Sequence, residues 1–386
     1  MTAADWQHGG FGLYVHWPFC AAKCPYCDFN SHVTARVDHA RWCRAYLAEL
    51  QRVAALTPGR VLNTIFFGGG TPSLMAPETV AQIIAEARRL WPTANDLEVT
   101  LEANPTSVEA GRFRAFREAG VTRISMGIQA LNDADLRRLG RLHSANEAMA
   151  AFDVARGIFD RVSFDLIYAR QGQTLDAWRA ELTHALDMAI DHLSLYQLTI
   201  EPGTAFGDRH SRGTLRDLPQ DDLAADLFDL TQDMCGAHGM PSYEVSNHAR
   251  DSAQSRHNLI YWRGGDYAGI GPGAHGRITT GRGRVAISTR RMPDAWLTSV
   301  EDSGSGDTVT DVLTPDDHAT EYLMMSLRLN EGTDLQRLSE LGLRLRPETL
   351  DHLAAHDLVT HDAARLRTTQ AGRRVLNGVL RDLLVD

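Results

Sequence analysis

The sequence predicts an α/β protein: a partial (β/α)6 barrel followed by a small helical, winged-helix-like C-terminal domain. Two observations carry this. Six short apolar runs rich in β-formers recur between amphipathic stretches, and polar residues suited to chemistry sit just after several of those runs. Such alternation predicts parallel strands joined by right-handed crossovers. Parallel α/β folds build their sites at the C-terminal edge of the strands. A doubly wound sheet fits the same periodicity equally well.

In chain order the expected strands are Gly12–His16, Asn63–Phe67, Leu97–Glu102, Val121–Met126, Val162–Ile167 and His192–Leu198. Between them His39–Leu56, Pro77–Leu90, Val108–Ala119 and Leu175–Ala189 carry apolar residues at three- and four-residue steps, the helical period. Residues 1–235 are assigned to the barrel. Residues 236–300 form a connecting region with a glycine-rich loop, Gly269–His275. Asp302–Asp307 reads as a flexible linker. Residues 310–386 form the C-terminal domain, with a packing or lid role favoured over DNA binding.

The 386 residues carry a formal charge of −10, which argues against nucleic acid as the main partner. No run of eighteen apolar residues occurs, so no membrane span is expected, and Met1–Gly10 lacks a signal-peptide pattern. A cytoplasmic location follows as the expectation. Three of the five cysteines cluster near the start, and in a reducing compartment such clustering points to metal.

The cluster is Cys20, Cys24 and Cys27, a C-x3-C-x2-C spacing with Tyr26 before the last thiol. Soft thiolates suit iron–sulfur chemistry. A [4Fe–4S] cubane held by three of them keeps one iron open to chelate an amino and a carboxylate group. Two other readings stand beside it: a zinc site completed by a distant ligand, or three unrelated thiols. Zinc would ordinarily use two ligand pairs, and Cys43 and Cys235 are isolated, as ordinary buried thiols are.

The triplet resembles the signature of the radical S-adenosylmethionine (SAM) superfamily. The string from Tyr14 through Cys27 to Asn30 resembles the branch of oxygen-independent coproporphyrinogen III oxidases and heme chaperones, being closest to the chaperones. The resemblance implies the cluster and SAM as cofactors. It also implies, position by position, a SAM site of Tyr14, Tyr26, Gly69, Gly70, Thr71, Glu102, Gln129, Arg141 and Asp165, with Thr199 a weaker candidate. The chemistry is consistent: carboxylates suit ribose hydroxyls or an ammonium, and arginine suits a carboxylate.

Within that branch the oxidases carry a fourth cysteine two residues after the third. Phe29 stands there in this chain, which weighs against decarboxylation. His257, Asn258, Tyr261 and Trp262 form an H-N-x-x-Y-W string that the resemblance associates with heme binding. An imidazole is a good axial ligand to heme iron, and the two aromatics offer flat faces. The bland alternative is a turn-capping histidine beside core aromatics. The resemblance therefore implies a heme chaperone that hands heme to acceptors such as respiratory membrane enzymes, with the oxidase as the alternative. His16 is expected only to pack beside the cluster motif, and His275 is left open.

Overall fold

The structure, a computed structural model, describes residues 5–34 and 36–385. Its frame is an open sheet of eleven strands. The first six, β1 (Phe11–Trp17), β2 (Leu62–Gly69), β3 (Thr93–Ala103), β4 (Arg123–Gln129), β5 (Arg161–Tyr168) and β6 (His192–Gln197), lie side by side in chain order. All neighbouring pairs among them are parallel. Each expected strand overlaps one of these. The order never reverses, so right-handed crossovers leave their helices on one face. That is barrel winding; a doubly wound sheet needs a reversal.

The barrel does not close. On one side β7 (Asn247–Ala249) runs antiparallel to β6. On the other, β8 (Asp266–Ile270) adds parallel to β1. Strands β9 (His275–Thr280), β10 (Gly283–Thr289) and β11 (Asp307–Val312) then continue antiparallel. Stretch 236–300 thus contributes sheet where the sequence suggested a connection. Its glycines read as a loop because β8 and β9 approach too closely for side chains. A Cβ on Gly269 would lie 2.1 Å from the His275 carbonyl oxygen.

Strand alternation separates core from site. Phe11, Leu13, Val15 and Trp17 on β1, Val99 and Leu101 on β3, Ile124, Met126 and Ile128 on β4, and Val162, Phe164 and Leu166 on β5 are buried in one continuous apolar core. They pack beneath helices α1 (His39–Leu56), α2 (Pro77–Leu90), α3 (Ala145–Arg156), α4 (Leu175–Met188) and α5 (Asp221–Ala237). Each such side chain contributes roughly 1.5–3 kcal/mol. The intervening residues point the other way, inside the barrel. They are Tyr14, Glu98, Glu102, Arg123, Ser125, Asp165, His192 and Ser194, and they are almost all polar.

Helix α6 (Arg256–Trp262) follows β7, and α7 (Pro293–Ser303) precedes β11. The expected linker at 302–307 is packed chain. Gly304 caps α7 with φ 73°, the Gly306 amide donates to Glu49 at 3.0 Å, and Asp307 pairs with Arg52 at 2.9 Å. Its Ser/Gly composition serves the cap and the tight turn. From α8 (Pro315–Ser326) onward a separate core forms around Leu323, Leu338, Leu353, Leu366 and Leu380, beside a three-stranded sheet. Arg337 ties this part to the barrel, clasping the Asp5 carboxylate at 2.8 and 2.9 Å.

Candidate functional site

After β1 the chain forms a short parallel ribbon, Phe19–Cys20 against His32–Val33. The intervening loop carries Cys24 and Cys27. All three thiols are free, half-buried, and line one cavity of about 730 Å³ at the C-terminal edge of the sheet. Each sulfur has its own polar neighbour. The Thr71 hydroxyl donates to Cys20 Sγ at 3.5 Å, Arg141 Nη1 donates to Cys24 Sγ at 3.4 Å, and Ser31 Oγ lies 3.8 Å from Cys27 Sγ. Burial pushes the Cys20 and Cys27 thiols above their ordinary range, partly offset by the hydrogen bonds they receive. A bound metal removes those protons, because it takes thiolate.

Zinc needs four ligands converging on one point. Among the described residues no three His, Cys, Asp or Glu side chains gather around a single ion position. Three thiols lining one cavity, each hydrogen-bonded, fit three corners of a cubane.

The rest of the cavity wall comes from the ends of β2 to β5. Gly69 holds φ 110°, and a Cβ there would lie 2.5 Å from the His16 ring. Only glycine lets its amide turn to the Glu102 carboxylate, 3.1 Å away. Arg141, in the turn after a short helix, donates to the Asn104 side chain and the Gly127 carbonyl, both at 2.7 Å. Gln129 holds φ 75° where β4 bulges against β5, a conformation unusual outside glycine. Its side chain lines the cavity with Tyr26, Gly70, Thr71 and Asp165. Eight of the nine residues implied for SAM therefore share this space with the cysteines.

Tyr14 does not. It lines a second cavity of about 610 Å³ deeper in the barrel, with Phe66, Arg123, His192 and His257. Its hydroxyl lies 3.0 Å from His16 Nδ1. The two cavities share Glu102, Ser125 and Asp165. Thr199 is exposed and lines neither. Asn104, at the strand end with Glu102, lines the cavity as its position suggests, whereas Ser31, Ser125 and Gly127 are wall residues that the sequence did not single out.

Burial, and the neighbouring Asp165, raise the Glu102 carboxyl to about 8. Burial raises Asp165 to about 6, offset by Ser194, Arg123 and Ser125. An ionised Asp165 opposes ionisation of Glu102. A cationic ligand would favour the doubly ionised form.

His257, the expected heme contact, sits inside the barrel. It is 1% exposed, with Nδ1 2.7 Å from the Thr64 hydroxyl and Nε2 2.6 Å from the Tyr261 hydroxyl. Its ring stacks on Phe66 at 5.0 Å. Burial depresses the imidazole to about 3. Both nitrogens are engaged, and the ring lines the second cavity, so a metal reaching Nε2 would displace the Tyr261 hydroxyl.

Three comparisons bear on this arrangement. Residues 14–184 match the radical SAM superfamily, and residues 313–375 match the HemN C-terminal domain. The chain is 38% identical to the heme chaperone HemW of Escherichia coli, over 97% of this chain and 98% of that protein. It is 39% identical to the mouse mitochondrial radical S-adenosyl methionine domain-containing protein 1, over 96% of this chain and 87% of the other. The fold matches E. coli coproporphyrinogen III oxidase (HemN), described as a radical SAM enzyme. There the TM-score is 0.81 at 22% identity, covering 99% of this chain and 91% of that one.

Proposed function

The chain belongs to the radical SAM superfamily, in the HemN-like branch close to HemW, and from that premise we propose that it is a heme chaperone. In this reading it binds heme, carries a [4Fe–4S] cluster and SAM, works in the cytoplasm, and passes heme to acceptors such as respiratory membrane enzymes. One observation carries the reading: similarity to HemW along nearly the whole chain. The absence of the oxidases' further cysteine, with Phe29 in its place, agrees with it.

The residues present fit the cofactors. Cys20, Cys24 and Cys27 would hold three corners of the cluster. When bound, the cluster supplies an open iron for the amino acid end of SAM and a source of one electron. The chain's own groups do the positioning. The backbone of Gly69 to Thr71 receives the ammonium end. Arg141, braced by Asn104 and the Gly127 carbonyl, faces the carboxylate. Glu102 and Asp165 are acceptors for ribose hydroxyls.

The test is a hemin titration of the anaerobically reconstituted full chain, followed by mixing with a heme-free acceptor. A Soret band that moves from this protein to the acceptor is the expected result. No hemin binding would remove the chaperone reading. Conversion of coproporphyrinogen III to protoporphyrinogen with SAM and a reductant would replace it with the oxidase.

A further inference from the structure

Two of the three cysteine sulfurs are reached by side chains that meet at a single residue. Asn104 directly follows β3 and lines the cysteine cavity. Its side-chain oxygen accepts from Arg141 Nη2 at 2.7 Å, and its side-chain amide donates to the Thr71 hydroxyl at 3.1 Å. A guanidinium has donors only, so the oxygen must face Arg141 and the amide Thr71. Each partner then goes on to a thiol. Thr71 Oγ1 donates to Cys20 Sγ at 3.5 Å, and Arg141 Nη1 donates to Cys24 Sγ at 3.4 Å.

Asn104 gives both contacts their direction. A hydroxyl carries one hydrogen and lone pairs that receive others. With the Asn104 amide pointing into its oxygen, Thr71 turns its own hydrogen to Cys20. Arg141 is held differently. Its Nη2 is shared between the Asn104 oxygen and the Gly127 carbonyl, which fixes the guanidinium and aims Nη1 at Cys24.

The residue is itself anchored. Its backbone amide donates to Glu109 at 2.8 Å, a carboxylate on the short helix Ser107–Ala110 that the Ser73 hydroxyl also reaches. Glu109 is buried, so little water competes for these bonds. Cys27 stands outside the arrangement. Its neighbour, Ser31 at 3.8 Å, belongs to the cysteine loop itself.

We propose that Asn104 is a positioning residue for the iron–sulfur cluster. Through Thr71 and Arg141 it sets the hydrogen bonds to two of the three sulfurs, and with them the reduction potential. Hydrogen bonds to the sulfurs favour the more negative, reduced state and raise that potential. The inference rests on the reading that these cysteines hold a cluster, and it names the residue beyond them that tunes it.

Midpoint potentials of the anaerobically reconstituted full chain test it, combined as double-mutant cycles. Asn104→Ala lowers the potential. Asn104→Asp lowers it further, because a carboxylate takes the Thr71 hydrogen away from Cys20 and adds negative charge. The aspartate is close in size to asparagine and carries the test where the alanine variant loads iron poorly. In a Thr71→Val background the effect of Asn104→Ala shrinks, because the relay to Cys20 is already gone. In a Ser31→Ala background it keeps its full size. Far-UV circular dichroism and iron content check folding and loading. Wild-type potentials in both Asn104 variants, or full additivity with Thr71→Val, would overturn the role of Asn104 and spare the cluster. A wild type that takes up no [4Fe–4S] cluster would remove both.

Discussion

The cysteine loop and the H-N-x-x-Y-W string are the two most distinctive stretches of this sequence, and the fold treats them oppositely. The thiols line a cavity at the strand ends, each with hydrogen-bonding neighbours and further coordination capacity to spare. His257 lies inside the barrel with both nitrogens engaged and a ring stacked on its face. Both stretches supply metal donors to a cavity wall, but the thiols stand at the strand ends and the imidazole deep in the barrel with both nitrogens held. A motif says which residues matter; burial and hydrogen bonding say whether they can reach a ligand.

The contrast can be broken most forcefully at the cysteines. Replacing Cys20, Cys24 and Cys27 with serine should abolish iron uptake on anaerobic reconstitution, from about four irons per chain to near none. Thermal stability should change little, because these side chains are only half-buried. Retained iron would mean that other ligands hold it.

The opposite pattern is expected at His257. His257→Ala should leave iron content intact but destabilise the fold by about 3 kcal/mol. It strands the Thr64 and Tyr261 hydroxyls and leaves a cavity against Phe66. Chemical denaturation reads this directly. A change below about 1 kcal/mol would place the ring outside the packed interior.

Glu102 gives a smaller, pH-dependent effect. Its folded carboxyl titrates near 8 against an ordinary 4.5. Between those values the folded chain keeps a proton that the unfolded chain has lost, so stability falls as pH rises through that window. Glu102→Gln should flatten the slope and make the ligand-free variant the more stable at pH 8, by about 1–2 kcal/mol. Melting curves at pH 5 and pH 8 decide it, and an unchanged slope would count against a buried, protonated Glu102.

Thr71→Val is the mildest probe. It keeps the shape but removes the hydroxyl that donates to Cys20 and accepts from Asn104 at 3.1 Å. Iron content should persist, with a shift in cluster midpoint potential equivalent to about 1 kcal/mol. No shift in protein-film voltammetry would show that this hydroxyl does not face the cluster.

Much of this was legible beforehand, for identifiable reasons. The six barrel strands carry dense β-branched and aliphatic runs, and local composition reports them. The cysteine spacing is a local constraint, and the residues at the ends of β2 to β5 follow from strand polarity. What escaped depends on long-range pairing. Strands β8 and β9 hide behind glycines, Gly269 and Gly276, where two backbones meet. The segment at 302–307 looked like a linker because the sequence shows serine and glycine but not Arg52 and Glu49 waiting to fix it. His257 could not be placed from the string alone, since its partner Thr64 lies on a distant strand.

The central claim is that three cysteines hold a cubane whose remaining iron is open to SAM. The most direct test is electron paramagnetic resonance of the anaerobically reconstituted, reduced full chain, with and without SAM. The account predicts a [4Fe–4S] signal whose shape changes when SAM is added, and no such signal in the triple serine variant. A cysteine loop loaded with zinc, or a cluster signal indifferent to SAM, would contradict it.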